Sequence, residues 1–154
     1  MDRLETNNEF YKGICSGFIS STVMFFFLEI LYWLGLIKFG QSFLAGNTVF
    51  NYKPGLLMYI ISYVISVGIG MFWGVIIAFL YSKVFTEHGY ILKGIGIGFS
   101  IFIFHLGILD EHFHYPKFVH EETGTLLAFA ISYLIYGIVT SICLRKLGIF
   151  ENRV

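Results

Sequence analysis

Charged residues are scarce in this 154-residue chain, where Asp, Glu, Lys and Arg together make up 13%. A soluble domain carries about 25% charged residues, whereas this chain is 56% apolar with a mean hydropathy of +0.76. A folded surface with so little charge would expose large apolar patches and aggregate in water. The composition therefore excludes a soluble globular domain and predicts an integral membrane protein.

An excess of basic charge and a set of paired cysteines are also missing. Ten basic residues balance ten acidic ones, so no basic field attracts nucleic acid. The two cysteines, Cys15 and Cys143, lie in apolar stretches without CxxC or metal-ligand spacing, and we interpret them as buried thiols. No nucleophilic triad or nucleotide-binding glycine motif is recognisable, which favours a non-enzymatic protein.

Four long apolar stretches are present, at 13–37, 54–82, 90–109 and 123–144. Each reaches the roughly 20 residues that cross about 30 Å of hydrocarbon. Each must be helical, because lipid offers no partners for open backbone groups. The first stretch lacks the small-residue cleavage site of a signal peptide. We therefore predict an all-α polytopic integral membrane protein, with residues 1–154 forming a single four-transmembrane-helix bundle.

The distribution of Lys and Arg predicts the orientation of this bundle. Seven of them fall on the side that carries both termini and the 83–89 turn, and three fall on the other side. The positive-inside rule then places the protein in the cell membrane with both termini cytoplasmic. The connections 38–53 and 110–122 are predicted to be extracytoplasmic, with 38–53 lying along the outer interface.

Small residues recur at a spacing of four along the predicted helices. Such stripes permit close backbone approach, which holds helices together where no hydrophobic drive acts between them. We expect packing within one chain, with homo-oligomerisation as the alternative. The stripe on the second stretch is Ser62, Ser66, Gly70, Gly74 and Ala78, and its candidate partners are Gly13 and Gly17, Gly94 and Gly98, and Gly137 and Ser141.

Glu29 is the only acidic residue well inside an apolar stretch. A carboxylate at that depth is costly and needs a partner. The predicted partner is His105, which lies at a comparable depth on the third stretch. Asp110 is a second candidate if that helix continues further out, and hydroxyl partners are available from Tyr32, Tyr59 and Tyr63. Two interpretations stay open for this intramembrane polar pair: a proton- or cation-binding site tuned by the imidazole, or an interhelical hydrogen bond that only holds helices together.

A second concentration of chemistry lies at 105–122, which contains four of the five histidines and four of the ten acidic residues. Imidazole and carboxylate groups bind Zn²⁺ and similar transition metals. The simpler alternative is a solvated polar cap at the membrane surface, which we take as the default. The candidate metal ligands are His105, Asp110, Glu111, His112, His114, His120 and Glu121.

The order of features also resembles a known family. An aromatic-rich first helix is followed by KPG at 53–55 and an Ile/Ser/Gly-rich second helix; KGIGIG at 93–98 and YLIYG at 133–137 come later. This order resembles that of the YqhR-like four-helix membrane proteins of spore-forming Firmicutes, over most of the chain. The resemblance implies the four-helix topology and no particular activity.

These observations lead to three functional hypotheses, in order of preference. The first is a non-enzymatic structural or accessory subunit that binds a membrane partner protein or a second copy of itself. The second is a small transporter, or a proton- or metal-responsive membrane protein, that uses Glu29, His105 and the outer histidines. The third is a metal-dependent membrane enzyme, which we rank lowest because the set of metal ligands is incomplete.

Overall fold

The computed structural model describes residues 2–49, 55–108 and 122–150, and these residues form helices and connections without a strand. The predicted all-α class is therefore confirmed for the described chain. The elements are α1 (Asp2–Trp33), α2 (Gln41–Val49), α3 (Leu56–Lys83), α4 (Tyr90–Ile103), a π-helical turn (Phe104–Ile108) that continues α4, and α5 (Thr123–Lys146).

Three of these helices have the length and composition of membrane spans. The spans are Asn8–Trp33, Leu56–Lys83 and Thr123–Lys146, and a shorter apolar helix covers Tyr90–Leu106. Large apolar side chains remain exposed along these helices, including Leu57 at 70%. Such exposure is unfavourable in water but is what a lipid-facing helix requires. The structure thus supports a membrane protein.

The end of α1 comes four residues before the predicted boundary at 37. Gly35 adopts a left-handed φ of 71°. Its N–H donates to the Tyr32 carbonyl, and the Leu36 N–H donates to the Leu31 carbonyl, both at 3.0 Å. This Schellman pair satisfies the last carbonyls of the helix and turns the chain away. The predicted boundary residues at 54 and 109 lie outside the described residues.

Helix α2 differs from the prediction that 38–53 lies along the outer interface. Its first residues pack inward against α3 and α1, and Gln41, Ser42 and Leu44 are all buried. The Gln41 side chain contacts Ser66, which lies ten residues after the start of α3 and so about 15 Å along that helix. The chain therefore turns back into the bundle after α1. Because α3 begins at the end of the bundle where α1 stops, with Tyr59 stacked on Trp33, we call α2 a re-entrant helix.

Helices α1 and α3 make close backbone contact through small residues. A Cβ atom added to Gly13 would lie 2.6 Å from the Cα of Val75, and one added to Gly74 would lie 2.7 Å from the Cα of Gly17. Separations this short leave no room for a side chain at either glycine. Gly70 and Gly74 of the stripe on α3 thus pack against α1 within one chain.

Helices α4 and α5 form a second pair of this kind. A Cβ atom added to Gly94 would lie 2.6 Å from the carbonyl oxygen of Gly137, and one added to Gly98 would collide with the carbonyl oxygen of Tyr133. Gly94 and Gly98 therefore pack against α5, whereas the sequence argument offered them as partners for the stripe on α3. Helix α1 also packs against α5, which joins the two pairs.

The start of α1 and the end of α5 lie at the same end of the bundle. There the Lys12 ammonium donates to the Gly148 carbonyl at 2.9 Å, and the Arg145 guanidinium donates to Glu87 at 2.9 Å. At the opposite end, Lys38 pairs with Glu122 just before α5 begins. The helices therefore run alternately up and down, with α2 inserted from the end opposite to the start of α1 and the end of α5.

Candidate functional site

Glu29 stabilises the buried start of α2. Its side chain is 1% exposed, and its Oε1 accepts a hydrogen bond from the backbone N–H of Ser42 at 2.6 Å. The residue before α2 is Gly40, which has no side chain to cap the helix. A helix start carries unpaired N–H groups and partial positive charge. Glu29 supplies both the missing acceptor and the opposite charge from a different helix.

His105 lies in the π-helical turn and uses both of its ring nitrogens. The indole N–H of Trp73 donates to Nε2 at 3.0 Å, and Nδ1 lies 2.7 Å from the Tyr133 hydroxyl. An indole can only donate, so Nε2 must carry a lone pair and the proton of a neutral ring must sit on Nδ1. The imidazole therefore has no unused lone pair with which to bind a metal.

Glu29 and His105 thus hydrogen-bond to different elements, and among the described residues no hydrogen bond joins the two side chains. Their comparable depth along the sequence predicts a pair. The sequence does not reveal α2, whose Ser42 N–H reaches Glu29, or the position of Trp73 beside the imidazole.

An interior pocket of about 40 Å³ lies between the start of α2 and the His105 ring. Its floor is near the middle of the bundle, where the Tyr136 hydroxyl donates to the Gly70 carbonyl at 2.6 Å. All of α1 to α5 contribute to its walls, which mix apolar and hydrogen-bonding side chains. The hydrogen-bonding residues include Gln41, Ser66, Trp73, His105, Tyr133 and Tyr136.

Gln41 is a polar residue of this pocket that sequence reasoning missed. It is 8% exposed, and its amide nitrogen donates to the Ser66 hydroxyl at 3.2 Å. Its carbonyl oxygen, Oε1, has no hydrogen-bond partner among the described residues. Leaving a buried acceptor unpaired costs about 1–3 kcal/mol. Gln41 therefore brings a buried, unpaired acceptor to the lining of the pocket.

A larger groove runs between α3 and α4, beside the interior pocket. It encloses about 610 Å³ and is lined mainly by apolar side chains, with Lys93 and Phe85 towards the terminal end. Trp73 and Ile101 line both the groove and the interior pocket. These two side chains therefore form the wall between the two spaces.

The candidate metal ligands in the outer connection, Asp110, Glu111, His112, His114, His120 and Glu121, lie outside the described residues. Within residues 2–49, 55–108 and 122–150, no three His, Cys, Asp or Glu side chains come together in a group that could hold a metal. A transition-metal site in the outer connection stays a prediction.

Comparison of the chain with protein-family models, with curated proteins and with solved structures finds no match. The chemistry of the site therefore rests on its own geometry. That geometry combines a re-entrant helix, a carboxylate committed to the start of this helix, and a polar pocket beneath it. It offers hydrogen bonds, and no nucleophile–base pair is recognisable among the residues that the structure describes.

Proposed function

We propose that this chain is a small multi-spanning membrane protein that binds a small polar species in the interior pocket and passes it across the bilayer without covalent chemistry. The observation that carries the proposal is α2, a re-entrant helix whose buried start presents Gln41 to the pocket. Helix ends are tolerated at membrane depth only where protein covers them or where they line a cavity. Interrupted helices form the midplane binding sites of many transporters.

In this proposal α4 and its π-helical turn form the fourth span. Their 14 and 5 residues would rise about 28 Å, close to the hydrocarbon thickness. The end of the bundle that carries the start of α1 and the end of α5 also carries most of the described Lys and Arg residues, so we place it in the cytoplasm. The resemblance to YqhR-like proteins implies the same four-span topology, and membership of that family stays a hypothesis.

The alternative is the non-enzymatic structural or accessory subunit. The two closely packed helix pairs favour it, because backbone contact along α1/α3 and α4/α5 makes a bundle without a wide pore. This role predicts a membrane partner that co-purifies with the chain, or a defined homo-oligomer. Crosslinking in native membranes that captures only monomers would count against it.

A flux measurement tests the transport proposal. The full chain is reconstituted in liposomes, and the permeation of water, ammonia, protons and Rb⁺ is compared with that of protein-free liposomes. We expect at least one species to permeate faster, and we expect Gln41→Leu to remove that increase.

The matched control is Asn47→Leu. Asn47 lies on the same helix and is also 8% exposed, but its amide donates to the Phe43 carbonyl and does not line the pocket. This variant should keep the increase in flux. Permeabilities equal to those of protein-free liposomes for every species would contradict the proposal.

A further inference from the structure

The described residues that line the interior pocket carry no formal charge. The nearest buried carboxylate, Glu29, is directed at the Ser42 N–H and is not part of the lining. The His105 ring is neutral, because its Nε2 accepts from Trp73. An ion in this pocket would have no counter-charge, and an unpaired ion in a low-dielectric interior costs several kcal/mol.

The hydrogen-bonding groups of the pocket also disfavour both cations and anions. Hard cations take six or more oxygen ligands, whereas Gln41 Oε1 is the acceptor here that lacks a partner. An anion would be drawn to the positive start of α2, but Glu29 already occupies the Ser42 N–H.

The size of the pocket limits its ligand further. One buried water molecule needs at least about 10–15 Å³ of cavity volume, so a pocket of about 40 Å³ holds roughly three non-hydrogen atoms. The unpartnered oxygen of Gln41 requires a hydrogen-bond donor. We infer that the interior pocket binds an uncharged molecule of this size that donates a hydrogen bond to Gln41, a class that includes water, ammonia and formamide. This inference names the substrate class of the proposed function and rests on it.

Trp73 provides a test that does not depend on transport. Trp73 lines the pocket and donates its indole N–H to His105, another lining residue, whereas the only other tryptophan, Trp33, is exposed. Water-edited solid-state NMR on the chain in lipid bilayers measures transfer of magnetisation from mobile water to each indole N–H. We expect transfer to Trp73 in the wild type and in Asn47→Leu, and loss of that transfer in Gln41→Leu. A Trp73 signal that receives no water magnetisation in the wild type overturns the inference.

Selectivity in liposomes provides the second test. Water and ammonia should permeate faster than through protein-free liposomes, whereas Rb⁺, methylammonium and the larger neutral solute glycerol should not. Gln41→Leu should return the permeation of water and ammonia to the protein-free value.

These experiments distinguish a failure of the inference from a failure of the proposed function. Flux of Rb⁺ or methylammonium that depends on Gln41 overturns the inference and supports the proposed function. Water contact at Trp73 without faster permeation of any solute overturns the proposed function and supports the inferred chemistry of the pocket.

Discussion

Glu29 is a buried carboxylate that accepts a hydrogen bond from the start of another helix. It shows what the sequence does and does not predict about a single residue. The sequence alone predicts that Glu29 needs a partner, because a lone carboxylate at membrane depth is costly. The partner is a backbone N–H of α2, which no side-chain pattern reveals. Gly40 completes the arrangement, since a Cβ atom there would lie 2.6 Å from Glu29 Oε1.

Replacing Glu29 should destabilise the bundle in a graded way. Glu29→Leu leaves the Ser42 N–H without its acceptor, so we expect a loss of about 1–3 kcal/mol in the free energy of unfolding. Glu29→Gln keeps an oxygen acceptor for the Ser42 N–H but loses the charge, so we expect about 0.3–2 kcal/mol. Thermal unfolding in detergent measures both.

The control for Glu29 is Glu87→Gln, which removes a carboxylate from an exposed ion pair with Arg145. Exposed pairs contribute about 0–1 kcal/mol, so this variant should unfold close to the wild type. If Glu29→Leu were as stable as Glu87→Gln, α2 would not depend on the carboxylate.

The protonation of His105 is a second prediction at this scale. Because the indole of Trp73 donates to Nε2, the proton of the ring should sit on Nδ1. Nitrogen-15 NMR of histidine-labelled protein distinguishes the two tautomers, and the His105 signals are assigned by their absence in His105→Phe. Trp73→Phe removes the donor and should release this preference. A protonated Nε2 in the wild-type ring would refute the assignment.

At the scale of the elements, the long helices could be predicted and the re-entrant helix could not. Long apolar stretches mark α1, α3 and α5 directly, because a span must be about 20 residues long. Helix α2, with nine residues, is too short for that signal. Its burial depends on contacts with Glu29 and Ser66 that exist only in the folded bundle. The interior pocket was missed for the same reason, since Gln41 enters it only through α2.

The close helix contacts make a prediction that separates glycines on one helix. A Cβ atom at Gly74 would meet the backbone of Gly13 and Gly17, whereas a Cβ atom at Gly68 would meet nothing within 4 Å. Gly74→Ala should therefore lower the free energy of unfolding by about 1–3 kcal/mol through overpacking. Gly68→Ala should be neutral or stabilise by up to about 1 kcal/mol, because alanine favours helices.

Steric trapping in bicelles measures both free energies. The α4/α5 contact offers a second such comparison, because Gly98 meets the backbone of Tyr133 while Gly96 faces open space. Equal effects of Gly74→Ala and Gly68→Ala would mean that α1 and α3 do not touch as described.

At the scale of the whole molecule, the predicted orientation in the membrane is tested by labelling single cysteines. Cysteines are introduced in a chain with Cys15→Ala and Cys143→Ala, at the exposed positions Lys38 and His88. A membrane-impermeant maleimide added to intact cells should label Lys38→Cys, and it should label His88→Cys only after the membrane is opened. The reverse pattern would place both termini outside.

The wall formed by Trp73 and Ile101 has a consequence for how the molecule could move. The pairs α1/α3 and α4/α5 are each held by backbone contact, and α1 and α5 join them along one side. On the other side, the Trp73–His105 hydrogen bond bridges α3 and α4, and the Tyr81 hydroxyl donates to the Tyr90 carbonyl at 2.6 Å near the start of α4. A separation of α3 from α4 at Trp73 would break the first of these bonds and connect the pocket sideways to the groove. A solute dissolved in the bilayer could then enter through the flank of the protein rather than from either aqueous side.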